Sequence, residues 1–191
     1  DWSSDVCSSD LRGLSQTVFE WPGEGAPLVF AHATGFHARC WDQIIALLPG
    51  RHCYAMDLRG HGRSAKPAPP YRWRDFAEDL VAIGRALRLR DAMAVGHSMG
   101  GYAATLAAAL SPGLFSRLLL LDPTILRKEW YRGAPLDGEH FVTRRRNRWS
   151  SSEEMIERFR DRPPFSTWEP RILRDYCEFG LLPADRKSTR L

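Results

Sequence analysis

Gly96-His97-Ser98-Met99-Gly100, followed by Gly101, lies between the apolar run AMAVG (residues 92–96) and an Ala-rich run (residues 98–110). The first run reads as a buried strand and the second as a helix of small residues. A serine between them sits on a sharp strand-to-helix turn, raised above the sheet in a strained conformation. Gly96 and Gly100 leave room for close backbone approach. The helix that follows aims N–H groups and the positive end of its dipole at any negative charge developing there. The Gly-x-Ser-x-Gly spacing alone is a weak signal, since a tight turn without chemistry also matches it. The strand before and the helix after are what give it weight.

Outward from this turn the same grammar repeats. Residues 15–21 (SQTVFEW) alternate weakly and read as an edge strand ended by Pro22-Gly23. Residues 27–32 (PLVFAH) form an apolar run without alternation, as in a strand covered on both faces. A helix is expected over residues 40–48, with Trp41, Ile44, Ile45 and Leu48 on one face, and then a strand over 52–57 (HCYAMD). A loop over 58–70 leads to a helix over 73–89, and residues 117–122 (RLLLLD) make another buried strand. Strand and helix in alternation predict a mostly parallel sheet with crossover helices. After Pro123 the pattern changes. Ser151 to Glu154 form a capping box, Pro170 opens a second helix and Gly180 ends it. The expected organisation is an α/β core over residues 12–124 and a helical cap over 125–185.

The two ends read differently. Residues 1–11 (DWSSDVCSSDL) have no helical or strand period, and 186–191 (RKSTRL) stop abruptly. Both resemble translated sequencing-adapter sequence, and both are expected to be non-native tails. They carry three acids (Asp1, Asp5, Asp10) and three bases (Arg186, Lys187, Arg190), so without them the net charge stays at +4. The basic run from Arg144 to Arg148 reads as a solvated face, and no nucleic-acid partner is expected. No apolar run reaches the ~20 residues of a membrane span, so no membrane partner is expected either. The four cysteines form no CxxC pair. Cys40, Cys53 and Cys177 read as small core hydrophobes, which fits a reducing, cytoplasmic setting. No metal cluster or dinucleotide fingerprint is visible, and no metal or cofactor is expected.

Two further loops follow strand ends. In His32-Ala33-Thr34-Gly35-Phe36 the N–H of Thr34 is placed to serve, with that of Met99, as a donor to the tetrahedral oxyanion of an acyl transfer. Asp57-Leu58-Arg59-Gly60-His61-Gly62-Arg63-Ser64 reads as structural, its carboxylate and guanidinium pinning a tight turn near the mouth of the site.

In this order, HATGF, DLRGHGRS and GHSMGG resemble the α/β-hydrolase superfamily in its esterase-like branch. Ala33 stands where that family usually has glycine. The resemblance implies an α/β-hydrolase fold, incomplete because the last strands are missing, with a helical cap. It implies Ser98 as nucleophile, Thr34 and Met99 as oxyanion hole, and His32, Gly35, Phe36, Gly96, His97 and Gly100 around them. Aromatic residues of the cap (Trp130, Tyr131, Phe141, Trp149, Phe165, Trp168) would form an apolar lid or simply the cap's own core. The family orders its triad Ser, acid, His. Of the six histidines only His140 follows Ser98, and it lies in the cap, so the catalytic base is expected outside this chain. Asp122 is a candidate acid, the alternative being a carboxylate after a later strand. The implied activity is hydrolysis of a small-molecule carboxylic ester or related acyl compound, with the chain as written nearly inactive. C–C hydrolase, thioesterase and perhydrolase chemistry stay open, as does a non-catalytic binding role.

Overall fold

The computed structural model describes residues 4–11, 13–127, 146 and 148–182. Its sheet is six-stranded, in the order β1-β2-β4-β3-β5-β6. The strands are β1 (Ser4–Leu11), β2 (Leu14–Trp21), β3 (Glu24–Ala31), β4 (Arg51–Met56), β5 (Ala92–His97) and β6 (Phe115–Leu121). β1–β2 and β2–β4 pair antiparallel, while β3–β4, β3–β5 and β5–β6 pair parallel.

Strand β3 follows the expected chemistry, whereas β6, read as buried over residues 117–122, has no buried residue because no described strand covers its outer edge. Leu28, Val29, Phe30 and Ala31 of β3 are all buried, because helices cover both faces. On one face lie α2 (Trp73–Ala86) and α3 (Met99–Leu110), where Phe76, Leu80, Ile83, Ala103 and Ala107 meet Val29, Ala31 and Met56. The alanines of α3 let it approach the sheet closely. On the other face, Trp41 and Ile45 cover Phe30, Cys53 and Val95. They come from a short 3-10 turn (Ala38–Trp41) running into α1 (Asp42–Ile45). This is shorter than the helix read over 40–48, and Ile44 is 38% exposed rather than on the buried face.

Three other expectations change. The stretch over 1–11, which lacks any strand period, contains β1. An outermost strand joins a sheet through backbone groups, and pairing there does not require side-chain alternation. β2 is therefore not an edge strand but lies between β1 and β4. In the 57–64 turn the two charged groups divide the work. Asp57 takes the N–H groups of Ala38 (2.7 Å) and Arg63 (2.8 Å), tying the 3-10 turn to the Gly-rich loop. A side chain on Gly62 would collide with that carboxylate. Arg59 instead reaches α2, where it makes a bidentate pair with buried Asp79 at 2.6 Å.

The segment after residue 148 contributes α4 (Ser152–Phe159) and α5 (Pro170–Gly180), within the range where a helical cap was expected. Ser151 accepts the N–H of Glu154, as a capping box requires, but the Glu154 carboxylate returns to Ser150. The two helices bury Met155, Leu173, Tyr176 and Cys177 against Phe36 and Cys40 of the core. Burial raises the thiol pKa values of Cys40 and Cys177 to about 12, consistent with inert core residues. β6 is the last strand of the sheet among the described residues, and Leu119 (46%) and Leu121 (40%) remain exposed. No helix among the described residues is long and apolar enough to cross a membrane.

Candidate active site

β5 ends in the sheet interior, and the chain must reverse within one residue to start α3. Ser98 makes that reversal at φ 51°, ψ −112°, a region L-residues seldom occupy. Backbone bonds hold it there. The Ser98 N–H donates to Leu121 O (3.0 Å), and Ser98 O accepts from the N–H groups of Tyr102 and Thr124 (both 3.1 Å). The three glycines have steric reasons. A Cβ on Gly100 would strike Ala31 O at the end of β3, and one on Gly96 would come within 2.6 Å of the Gly101 Cα. A Cβ on Gly101 would come within 2.8 Å of Pro123. The elbow is thus wedged between the ends of β3 and β6.

Met99 is the first residue of α3, so its N–H is among those that have no acceptor within the helix. Thr34 follows β3 on the turn closed by Phe36 N–H to Ala33 O (3.1 Å), with Gly35 at φ 78°. Its hydroxyl donates to the Met99 sulfur at 3.4 Å, so the side chains of these two residues are in contact.

His32 is buried beneath this turn. Its Nδ1–H donates to Ala33 O (2.8 Å) and its Nε2 accepts the Leu58 N–H (2.9 Å), so one neutral tautomer serves both bonds. Burial holds its pKa well below the usual value, with His61 nearby adding to the effect. Its two bonds tie the Ala33 turn to Leu58 at the start of the Gly-rich loop. His97 precedes Ser98 and packs edge-on to Phe36, with ring centroids 5.8 Å apart. Burial lowers its pKa too, opposed by the charge of Asp122.

Asp122 stands at the end of β6 with φ 42°, next to Leu121, whose carbonyl holds the Ser98 N–H. The structure thus puts the candidate acid just past the end of β6, the strand that pairs with β5. Two residues on, Thr124 was not legible in the sequence as part of the site, yet its Oγ1 lies 3.0 Å from Ser98 Oγ. A lone threonine in a loop has no period or spacing to announce it.

The described histidines other than His97 have ring nitrogens engaged elsewhere: His32 as above, His37 with Tyr176 O, His52 with Glu20 and His61 with Arg59 O. His140, Trp130, Tyr131 and Phe141 lie outside the described residues, as do Arg144 and Arg145. Arg146 pairs with Glu154 (2.6 Å) and lies over Trp149, as a solvated face would. Among the described residues no cluster of His, Cys, Asp or Glu could hold a metal ion.

Beside the elbow opens a cavity of about 440 Å³. Its walls include Phe36, Trp41, His97 and Leu121, with Trp168 and Ile172 from the C-terminal helical segment. Two of these touch the Ser98 backbone: His97 precedes it and Leu121 accepts its N–H.

A family model described as alpha/beta hydrolase family matches residues 28–188. The chain is 37% identical over 121 residues to a non-heme chloroperoxidase of Streptomyces lividans, covering 61% of this chain and 43% of that protein. It is 33% identical over 132 residues to a 2-(acetamidomethylene)succinate hydrolase of Mesorhizobium japonicum, covering 65% and 47%. A solved E-2-(acetamidomethylene)succinate hydrolase superposes with a TM-score of 0.77 at 26% identity, over 96% of this chain and 65% of that one. The chain therefore spans about half the length of these curated relatives.

Proposed function

Because the chain belongs to the alpha/beta hydrolase family, we propose that it is the nucleophile-bearing part of a cofactor-free serine hydrolase acting on carboxylic esters or related acyl compounds. The single observation that carries this reading is Ser98 at φ 51°, ψ −112° on the β5–α3 turn. Such strain persists only where the surroundings impose it, and here three glycines and two strand ends do so.

In this reading Ser98 Oγ attacks the acyl carbonyl and the alkoxide leaves with a proton. The acyl-enzyme is then hydrolysed by water, returning the serine and releasing the acid. The N–H groups of Met99 and Thr34 take the oxyanion. Thr124 holds the hydroxyl in the resting state. Asp122 is the proposed acid, oriented toward a base supplied from outside residues 1–191. Without that base the 191-residue chain turns over activated esters on the order of 10⁶ more slowly than a protein that has it. The cavity beside His97 and Leu121, with its aromatic and aliphatic walls, supports an apolar acyl or alcohol group as the part of the substrate it holds. The setting proposed for the protein is the cytoplasm.

The test is Ser98→Ala in a protein that supplies the base. Turnover should fall to background while the fold is retained, and retained turnover sinks the assignment. The likeness to a non-heme chloroperoxidase favours a second reading, in which hydrogen peroxide in place of water takes the acyl group and a peracid leaves. Peracid formation from a carboxylic acid and peroxide, measured beside ester hydrolysis, separates the two.

A further inference from the structure

Helix α5 of the cap touches the turn that carries Thr34 at two points, both through Tyr176. Its phenol donates to Gly35 O at 3.2 Å, 141 residues away in the chain. Its backbone carbonyl accepts His37 Nε2–H at 3.1 Å, and the two rings stack with centroids 5.8 Å apart. Tyr176 is 4% exposed and is surrounded by Phe36, Phe165 and Trp168, with centroids 5.5–5.6 Å away.

The bond to Gly35 is placed at a sensitive spot. Gly35 O belongs to the same peptide plane as the Phe36 N–H, and that N–H donates to Ala33 O to close the turn. One plane is therefore held at both ends, by the turn itself and by the cap. The Thr34 amide lies inside this turn. The Thr34 N–H shares its peptide plane with Ala33 O, so a rotation of the Gly35–Phe36 plane that breaks the bond from Phe36 N–H leaves the Thr34 plane held at Ala33 O by His32 Nδ1–H and not by the turn, and loss of definition there is costly for an oxyanion donor. His37 fixes the far end of the loop, and Ala38 N–H is anchored on Asp57.

We propose that Tyr176 is a positioning residue for the oxyanion hole, so that the hole is complete only while α5 is seated on the core. The cap is then more than a cover. Lifting α5 to admit substrate removes the phenol from Gly35 and releases the Thr34 turn, and reseating α5 restores it. Catalytic competence and cap closure become one event. The proposal rests on the reading of Ser98 as nucleophile and Thr34 as oxyanion donor.

Tyr176→Phe keeps the ring in its aromatic cluster and removes only the hydroxyl. Hydrogen exchange of the 191-residue chain should show the amides of residues 34–37 exchanging about tenfold faster, the worth of one hydrogen bond to a peptide carbonyl. Protection of β5, α3 and α5 should be unchanged. In a protein that supplies the base, kcat should fall about tenfold with KM held. Unchanged exchange at 34–37 overturns the proposal. Equal loss of protection across α5 also overturns it, because the phenol would then be holding the cap and not the turn. Faster exchange with unchanged kcat shows that the turn is held without consequence for the oxyanion, and overturns the positioning role. If Ser98→Ala retains turnover while Tyr176→Phe loosens the turn, the hydrolase reading fails and the contact stands.

Discussion

Replacing Ser98 by glycine should make the protein more stable than replacing it by alanine. Elsewhere in regular structure the order is the reverse, since glycine loses more backbone entropy on folding, about 0.5–1 kcal/mol against alanine. At φ 51°, ψ −112° the backbone lies in the mirror image of the extended region, which glycine enters freely and alanine does not. A residue held in such a region stores about 1–3 kcal/mol. Both variants lose the 3.0 Å contact with Thr124, worth about 0.5–1.5 kcal/mol, so that loss cancels between them. Subtracting the entropy of glycine from the released strain leaves the glycine variant ahead by about 1 kcal/mol. With a urea slope of about 1–3 kcal/mol/M, the midpoints should differ by roughly 0.5 M. Equilibrium unfolding of the two variants, followed by fluorescence and circular dichroism, reads this directly. An alanine variant as stable as the glycine variant, or more so, would show that Ser98 carries no strain. The argument for a nucleophile elbow would then lose its physical basis.

Three other outcomes follow from the same contacts. Gly100→Ala should destabilise by about 1–3 kcal/mol or more and lower any turnover with it, because the new methyl meets Ala31 O and comes within 2.7 Å of His32 O, both rigid backbone; a melting temperature within a degree of the parent would contradict this. Arg59→Met should cost about 3–5 kcal/mol by removing the bidentate guanidinium from Asp79, a carboxylate only 1% exposed, and a second change Asp79→Leu should recover much of the loss in a double-mutant cycle. Stability should fall as pH drops below about 6.5, the unfolded histidine value, because burial lowers the folded pKa values of His32 and His37 and the unfolded chain then binds more protons. Each contributes a slope of about 1.4 kcal/mol per pH unit until its folded pKa is reached. Asp42, raised by burial to about 6, stabilises in the opposite sense, present at low pH and lost as pH rises through that value, and partly offsets them. Urea midpoints that stay level or rise from pH 7.5 to 5.5 would refute the assignment.

The order of elements, the parallel core and the elbow were readable from residues in line. An apolar run such as residues 28–31 reports burial on both faces, and Gly96, Ser98 and Gly100 report a backbone reversal, because strand burial and turn chemistry act over a few neighbouring residues. The strand formed by Ser4–Leu11 was not readable, since its pairing with β2 uses backbone groups that every residue has. Nor was the exposure of Ile44, because only the place of α1 between sheet and cavity decides which of its apolar residues is covered.

The candidate site divides in the same way. Ser98, its flanking glycines and the first residue of α3 were legible in local sequence, because a strained turn can be made by few residue types. Its partners were decided only by the tertiary structure. Thr124 reaches Ser98 because β6 lies beside β5, 26 residues apart in the chain, and Arg59 finds Asp79 because α2 crosses that face of the sheet. Tyr176 reaches Gly35 only because α5 folds back against the loop after β3. Contacts of this range depend on which surfaces packing brings together, and a residue's neighbours in sequence carry no record of that.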